Sequence, residues 1–339
     1  MIEKADVVID LQAGDTGKGK VAHSLAKTGD YDIVLRFNGG SNAGHTIYHE
    51  GTKIVTHQVP VGIFHGIPSI IGPGCVVNIG KLIDELDMLQ HHGFSAPLYI
   101  DKRAHVTNET HIFEDQKDTK IGTTGQGIGP TYRDKILRTG TRMESVNITS
   151  APFDVVDIYS ILHNDPTFKN FLCEGAQGYQ IDLDWGDYPY VTSSNCTIGA
   201  VCLNGIAPRY INKVFGIMKA YETYSGFKNF NNSPDQQKIL DKIQVLGEEF
   251  GATTGRKRQV RWLDLDGVLE AMHINNVTDL IINKVDILDK VGVYGVTHKK
   301  HLHIFKYRGD FISFVENVIK WEYRHSLGSV KWSTTPSGI

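Results

Sequence analysis

An apolar, β-branched run, Ala5-Asp6-Val7-Val8-Ile9-Asp10-Leu11, leads into a glycine-rich loop, Gly14-Asp15-Thr16-Gly17-Lys18-Gly19-Lys20, and the loop into Val21-Ala22-His23-Ser24-Leu25-Ala26. The first segment reads as a buried strand and the last as a helix. Strand, glycine loop and helix together make a phosphate site. Glycine lets the backbone approach an anion, the helix N-terminus offers unpaired N–H groups, and lysine adds a mobile positive charge. The spacing is not G-x-x-x-x-G-K-[ST], because Gly19 follows Lys18 where a magnesium-holding hydroxyl would stand, so a metal needs another ligand. A second short loop, Asn42-Ala43-Gly44-His45-Thr46, follows. A cradle for phosphate alone needs neither a carboxylate nor an imidazole, so Asp15 and His45 point to proton transfer. Taken by themselves, the two loops also fit a tight structural turn and a solvated histidine.

Further apolar runs at Ile33-Val34-Leu35, Ile70-Ile71, Leu98-Tyr99-Ile100, Phe171-Leu172-Cys173, Val214-Phe215-Gly216-Ile217-Met218 and Leu280-Ile281-Ile282 read as buried strands. Helical patterns run from Ile79 to Gln90, Val155 to His163 and Ile239 to Phe250. Strands alternating with helices predict an α/β fold with a central, largely parallel sheet and ligand loops at the carboxyl ends of its strands. The turn-rich stretches are Lys120 to Gly140, glycine-rich, basic and ordered by ligand, and Ser225 to Asp235, a surface excursion. With no repeat or linker, residues 1–339 are expected to form a single domain. A net charge of -3 disfavours a dedicated nucleic-acid binder. The four cysteines show no zinc spacing and suit a reducing cytoplasm. Neither a basic leader nor a membrane span is read, so a cytoplasmic location without membrane or nucleic-acid partners is expected.

Five more segments complete a pattern: Ile121-Gly122-Thr123-Thr124-Gly125-Gln126-Gly127-Ile128-Gly129-Pro130, Cys173-Glu174-Gly175-Ala176-Gln177-Gly178, Tyr188-Pro189-Tyr190-Val191-Thr192-Ser193-Ser194-Asn195, Thr253-Thr254-Gly255-Arg256-Lys257-Arg258 and Asn283-Lys284-Val285-Asp286. Together with the opening loops, and in this order, they closely resemble adenylosuccinate synthetase from about Val7 to Asp289. The resemblance implies a P-loop-NTPase-like fold with long active-site loops. It also implies a ligase that joins L-aspartate to a 6-oxopurine nucleotide through a 6-phosphoryl intermediate, with a nucleoside triphosphate and Mg2+. By the same resemblance Asp15 is the base that removes the N1 proton, His45 the acid at the γ-phosphate, and Lys18 and Gln177 complete the catalytic set. Asp15 and the Gly44 carbonyl are the implied metal ligands. Gly17, Lys18, Gly19, Lys20 and Thr46 would line the triphosphate, with Lys284, Asp286 and Ser333 at its base. A carboxylate at Asp286 accepts from guanine N1–H and the 2-amino group, which favours GTP over ATP. Asp15, Asn42, Thr124, Gln177 and Thr192 match the monophosphate site, and Arg138 reaches the neighbouring subunit's substrate, implying a homodimer with shared sites. Thr254, Gly255, Arg256 and Arg258 match the loop over the aspartate carboxylates, a task suited to arginine's bidentate geometry.

Several positions depart from the common pattern. Thr16 stands where glutamate is usual and Ala13 where an aromatic is usual. Tyr224-Ser225-Gly226-Phe227-Lys228-Asn229 replaces the arginine and Gly/Pro-rich segment at the substrate ribose, and Ser333-Thr334-Thr335-Pro336 keeps part of the last guanine-contacting motif. The short chain and the opening Val8-Ile9-Asp10-Leu11-Gln12 resemble the bacteriophage branch of the family. That branch converts dGMP to a precursor of 2-aminoadenine, and dGMP is the expected acceptor, in a host cytoplasm; the alternative is a conventional enzyme using IMP. Thr16 is expected to make room near the purine. Two other classes stay open from the residues: a GTP-binding regulatory module, and an RNA-binding protein using Arg256-Lys257-Arg258 with Arg261 as a basic patch.

Overall fold

The computed structural model describes residues 2–28, 30–49, 51–228, 230, 232–251 and 255–334. The strand Lys4–Asp10 is buried at every position after Lys4, as a parallel strand covered on both faces must be. Ala5, Val7 and Ile9 enter one apolar cluster and Val8 the other, the period-two alternation of a strand between two layers. Helices Leu265–Asn275 and Arg308–Glu322 contribute Val268, Met272, Phe311 and Val315 to the first layer. Helices Lys18–Ala26 and Ile79–His91 contribute Val21, Ala22, Leu82 and Leu89 to the second.

Nine strands form the central sheet, in the order Ser329–Ser333, Asp279–Asn283, Ile211–Lys219, Lys4–Asp10, Asn170–Glu174, Ile33–Arg36, Ser69–Ile71, Leu98–Asp101 and Asp154–Val156. Every neighbouring pair is parallel. All nine carboxyl ends therefore lie along one edge of the sheet, the edge where α/β folds hold ligands. A four-stranded sheet is built from Tyr221–Tyr224, Gln259–Asp264, Tyr294–His298 and His301–Phe305, and His45–His49 pairs with Thr52–Thr56 as a hairpin.

Three expected boundaries move. Val155 belongs to the edge strand Asp154–Val156, and the helix there is Ile158–His163, capped by the Asp157 side chain on the Tyr159 amide. The helix expected from Ile239 runs instead over Pro234–Leu246, because Ser233 accepts from the Gln236 amide as N-cap and Pro234 opens the first turn. The described part of Ser225 to Asp235 runs over the surface, with Phe227 and Asp235 exposed, and is tied down at two points. Gln259 Nε2 donates to the Gly226 carbonyl at 3.1 Å, and the Phe227 amide donates to the Ile121 carbonyl at 3.2 Å. Within Lys120 to Gly140, Ile128–Leu137 is helical.

Candidate active site

The first strand ends at Asp10, and the loop after it folds back onto that residue. Asp10 Oδ1 accepts from the Gln12 amide at 2.9 Å, and Oδ2 accepts from Thr16 Oγ1 at 2.5 Å and Lys18 Nζ at 2.9 Å. Lys18 is 5% exposed, so its ammonium is a fixed, buried charge rather than the mobile one expected. Thr16, 1% exposed, is turned inward onto Asp10. Helix Lys18–Ala26 begins at Gly17, whose φ of 99° demands glycine. A Cβ on Gly19 would stand 2.8 Å from the Cβ of His45, which is why no hydroxyl residue follows Lys18: His45 occupies that side of the helix.

His45 opens the hairpin strand and packs against the carboxylate of Glu174, the last residue of the strand Asn170–Glu174. Glu174 also accepts from Arg36 Nη1 at 3.1 Å and from the Val61 amide at 2.9 Å, and is fully buried. Burial pushes its carboxyl up, but His45 and Arg36 outweigh this and hold it below the usual range. Burial, then Arg36, lowers the His45 imidazole against the pull of Glu174. A carboxylate on Nδ1 selects the tautomer with Nδ1–H, leaving Nε2 to face a ligand.

Asp15, with φ 57°, carries its carboxylate on the outer turn of the loop, where Arg258 Nη2 reaches Oδ2 at 2.9 Å. Arg258 also donates to Glu249 at 2.6 Å, and Glu249 receives Lys219 Nζ at 3.2 Å and Tyr221 Oη at 2.7 Å. Burial alone would raise Glu249, yet Lys219, Arg258 and Lys284 bring it down to about 2. Asn283 Nδ2 donates to the Thr16 carbonyl at 2.8 Å and so ties the Asn283-Lys284-Val285-Asp286 segment to the first loop. Lys284 Nζ donates to the Gly247 carbonyl, and Lys20 Nζ to Ser333 Oγ at 2.7 Å. Burial lowers Lys20 to about 8 against the pull of nearby Asp286. Lys20, Asp286 and Ser333 thus lie near one another.

Gln177, with φ 57°, is held close to Gly39, and among the described residues its buried Oε1 has no hydrogen-bond partner. Asn42 accepts from the Gly40 amide at 3.2 Å, in the loop that leads through Gly44 to His45; Thr46 follows in the hairpin. Thr192 is held by its amide on the Ile181 carbonyl, and Thr124 accepts from the Gln126 side chain. Arg256 bridges two loops through the carbonyls of Gly122 (2.7 Å) and Ser225, stacked 5.0 Å from the Phe227 ring. Gly255 is exposed, with φ 64°; Thr254 lies outside the described residues. With Arg256, Arg258 and Arg261 all bound to internal acceptors, the segment is no basic surface patch for RNA. Arg138 ends the helix Ile128–Leu137 with its side chain exposed beside exposed Ile136 and Leu137, outside the contacts described above.

The residues that sequence reasoning passed over are Asp10, Arg36, Lys219 and Glu249, together with Glu174 as the partner of His45. Arg36, Glu174 and Lys219 each close an apolar run and Asp10 stands next to last in one, which was the available signal. Glu249 lies beyond a helix end and carried none.

The sequence profile of the adenylosuccinate synthetase family matches residues 7–154 and 151–302. The chain belongs to this family. A bacterial adenylosuccinate synthetase from Chlorobium chlorochromatii is 38% identical over 89% of this chain and 82% of its own. Among solved structures, the fully ligated adenylosuccinate synthetase of Plasmodium falciparum superposes with a TM-score of 0.82 at 25% identity, covering 98% of this chain and 97% of that one. The succinoaminodeoxyadenylate synthetase of cyanophage S-2L, bound to dGMP and dATP, superposes with a TM-score of 0.74 at 23% identity, over 94% of this chain and 99% of that one. That last likeness is one of fold alone. The chain is a ligase of the adenylosuccinate synthetase type, which sets aside a purely regulatory GTP-binding module. Among the described residues, no helix is long and apolar enough to cross a membrane.

Proposed function

We propose that this ligase joins L-aspartate to C6 of IMP with GTP as phosphoryl donor, releasing GDP and phosphate. Thr16 is spent on Asp10, so its departure from the usual glutamate is accounted for within the loop and is no argument for dGMP. The second support for dGMP, the segment from Tyr224 to Asn229, is in its described part packed on Arg256 and Gln259. The observation that carries IMP is the 38% identity to a bacterial adenylosuccinate synthetase over 89% of this chain.

In this proposal Asp15 takes the N1 proton as the 6-oxygen attacks the γ-phosphorus and GDP departs. The aspartate amine then adds at C6 and the 6-phosphoryl group leaves as phosphate. His45, fixed through Nδ1 by Glu174, presents Nε2 to the transferring group, and the phosphate's negative charge favours its protonated form there. Lys18 and the amides of Gly17 and Gly19 receive the triphosphate. Gln177 offers its unpartnered amide oxygen to the acceptor nucleotide. Arg256 and Arg258 receive the aspartate carboxylates, Arg258 exchanging the Asp15 carboxylate for that of the substrate.

Asp15 and the Gly44 carbonyl would hold magnesium, which takes one or two carboxylates together with substrate phosphates rather than an all-protein cage. In keeping with that, no group of three or more His, Cys, Asp or Glu side chains poised for a metal exists among the described residues. The ion's contribution is to neutralise charge on the phosphoryl oxygens. Arg138 acts on the neighbouring subunit's monophosphate in a homodimer, which accounts for its exposed place beside apolar Ile136 and Leu137.

The test is phosphate release with aspartate, Mg2+ and GTP against IMP, GMP, dGMP and dIMP in turn. IMP is expected to give the highest kcat/KM and a product of mass IMP plus aspartate minus water. Highest efficiency with dGMP and inert IMP would overturn the acceptor and restore the phage-type expectation.

A further inference from the structure

We propose that Asp10 is the positioning residue of the phosphate loop: it holds the Lys18 ammonium at a fixed point and closes the loop that carries it. One buried carboxylate gathers both ends of the turn. Oδ1 accepts from the Gln12 amide at 2.9 Å, while Oδ2 accepts from the Thr16 amide at 3.3 Å, Thr16 Oγ1 at 2.5 Å and Lys18 Nζ at 2.9 Å. The Lys18 and Asp10 side chains are 5% and 0% exposed, so neither charge is screened by water. An ammonium has three N–H donors; one is spent on Asp10, and the others remain for an anion at the start of the helix. The lysine is thereby pre-organised: it does not have to be ordered from solvent when a phosphoryl group arrives. Thr16 supplies the second arm of the clamp, and its side chain reaches the same oxygen as Lys18. Because Thr16 and Lys18 share one acceptor oxygen, a longer carboxylate side chain at position 16 can be brought to Lys18.

The inference rests on the triphosphate role of Lys18, and the experiment separates the two. Asp10→Asn keeps the shape and removes the charge. Loss of positioning should lower kcat by about 10- to 100-fold, the scale of a misplaced catalytic group. The Kd for Mg·GTP should not weaken, because Lys18 loses a competing anion. If Asp10 acts through Lys18, adding Asp10→Asn to Lys18→Met costs no more than about twofold further, the scatter expected of a fully coupled pair. Relocating the charge, as Asp10→Ala with Thr16→Glu, should recover activity that Asp10→Ala with Thr16→Gln does not. That pair differs by one charge and keeps the comparison open if Asp10→Asn does not fold. Multiplicative losses in the Lys18→Met background, or equal activity of the two relocated variants, would overturn the positioning role. Unchanged turnover of Lys18→Met itself would instead overturn the triphosphate reading of the loop.

Discussion

Glu174→Gln tests the link between the buried charges and turnover with the least change of shape. The carboxylate is fully buried and serves Arg36 at 3.1 Å, the Val61 amide at 2.9 Å and His45 Nδ1. Glutamine fills the same space, so no cavity term enters, and its carbonyl oxygen still serves one donor. Its NH2 end, however, faces a group that already donates. Arg36, with a side chain 3% exposed, is left without a counter-charge. Breaking a buried pair by removing one partner costs about 3–5 kcal/mol. At about 2.1 cal/mol/K per residue, unfolding a chain this size turns that cost into a fall in Tm of about 4–7 °C. Turnover should fall further than stability explains, because His45 loses the acceptor that selects its Nδ1–H form. Losses of general acid–base catalysis span about 10²- to 10⁴-fold. Calorimetry and phosphate release at a temperature well below both transitions measure the two effects separately. An unchanged Tm would refute the buried pair. A lower Tm with wild-type turnover would make Glu174 a structural residue only.

Asp15→Asn and His45→Asn should each lower kcat by about 10²- to 10⁴-fold with unchanged circular dichroism, as loss of proton transfer rather than packing requires. Mixed dimers of Arg138→Leu and Asp15→Asn subunits should regain activity that neither parent has, since one site then holds both residues intact; no recovery after verified subunit exchange would place Arg138 outside a shared site. Asp286→Asn should weaken GTP use far more than ATP use, because the carboxylate's two acceptors match guanine donors that adenine lacks. Glu249, held at about 2 against an ordinary 4.5, contributes stability that is full above pH 4.5 and lost as pH falls towards 2. The linked loss is about 3 kcal/mol, and urea unfolding of Glu249→Gln between pH 3 and 6 should show a flatter acid limb than wild type.

The parallel sheet was legible because its strands are covered on both faces and so read as unbroken apolar runs: Leu98-Tyr99-Ile100 and Leu280-Ile281-Ile282 lie within the strands Leu98–Asp101 and Asp279–Asn283. The edge strand Ser329–Ser333 escaped notice because Lys331 interrupts it, exposed as an edge position allows. Turn-forming residues misled at Ser233-Pro234-Asp235, where the same three residues that punctuate loops also make an N-cap and first helical turn. In the site, glycine loops and the arginine loop could be read from local order. The ion pairs could not: Arg36 and Glu174 are 138 residues apart, and Asn283 meets the Thr16 carbonyl across 267. Thr16 shows the limit most clearly, since its departure from the family pattern says nothing of which way its side chain turns.

A rule of placement underlies the site. A residue inside a strand covered on both faces has its backbone spent on the ladder and mostly apolar neighbours, so a charge there needs polar groups brought to it, as Tyr31 and Asn212 are brought to Asp6. The last residue of the strand is different: one side still packs on the sheet, while the loop beyond can bring a partner. Six consecutive strands of the sheet end in this way, on Ser333, Asn283, Lys219, Asp10, Glu174 and Arg36, each no more than 4% exposed. Because every pair is parallel, these six side chains stand along one edge, where Asp10 meets Lys18, Glu174 meets His45, and Lys219 meets Glu249. The two strands Ser69–Ile71 and Asp154–Val156 end instead on apolar residues, and Asp101 at the end of Leu98–Asp101 is spent on Arg103 and the Ile158 amide. The polar residue that closes an apolar run is therefore the feature to weigh in a parallel sheet, ahead of the polar residues in the loops themselves. Lys257, in the most basic loop segment, is exposed, while Asp10 at the end of its strand holds the phosphate loop together.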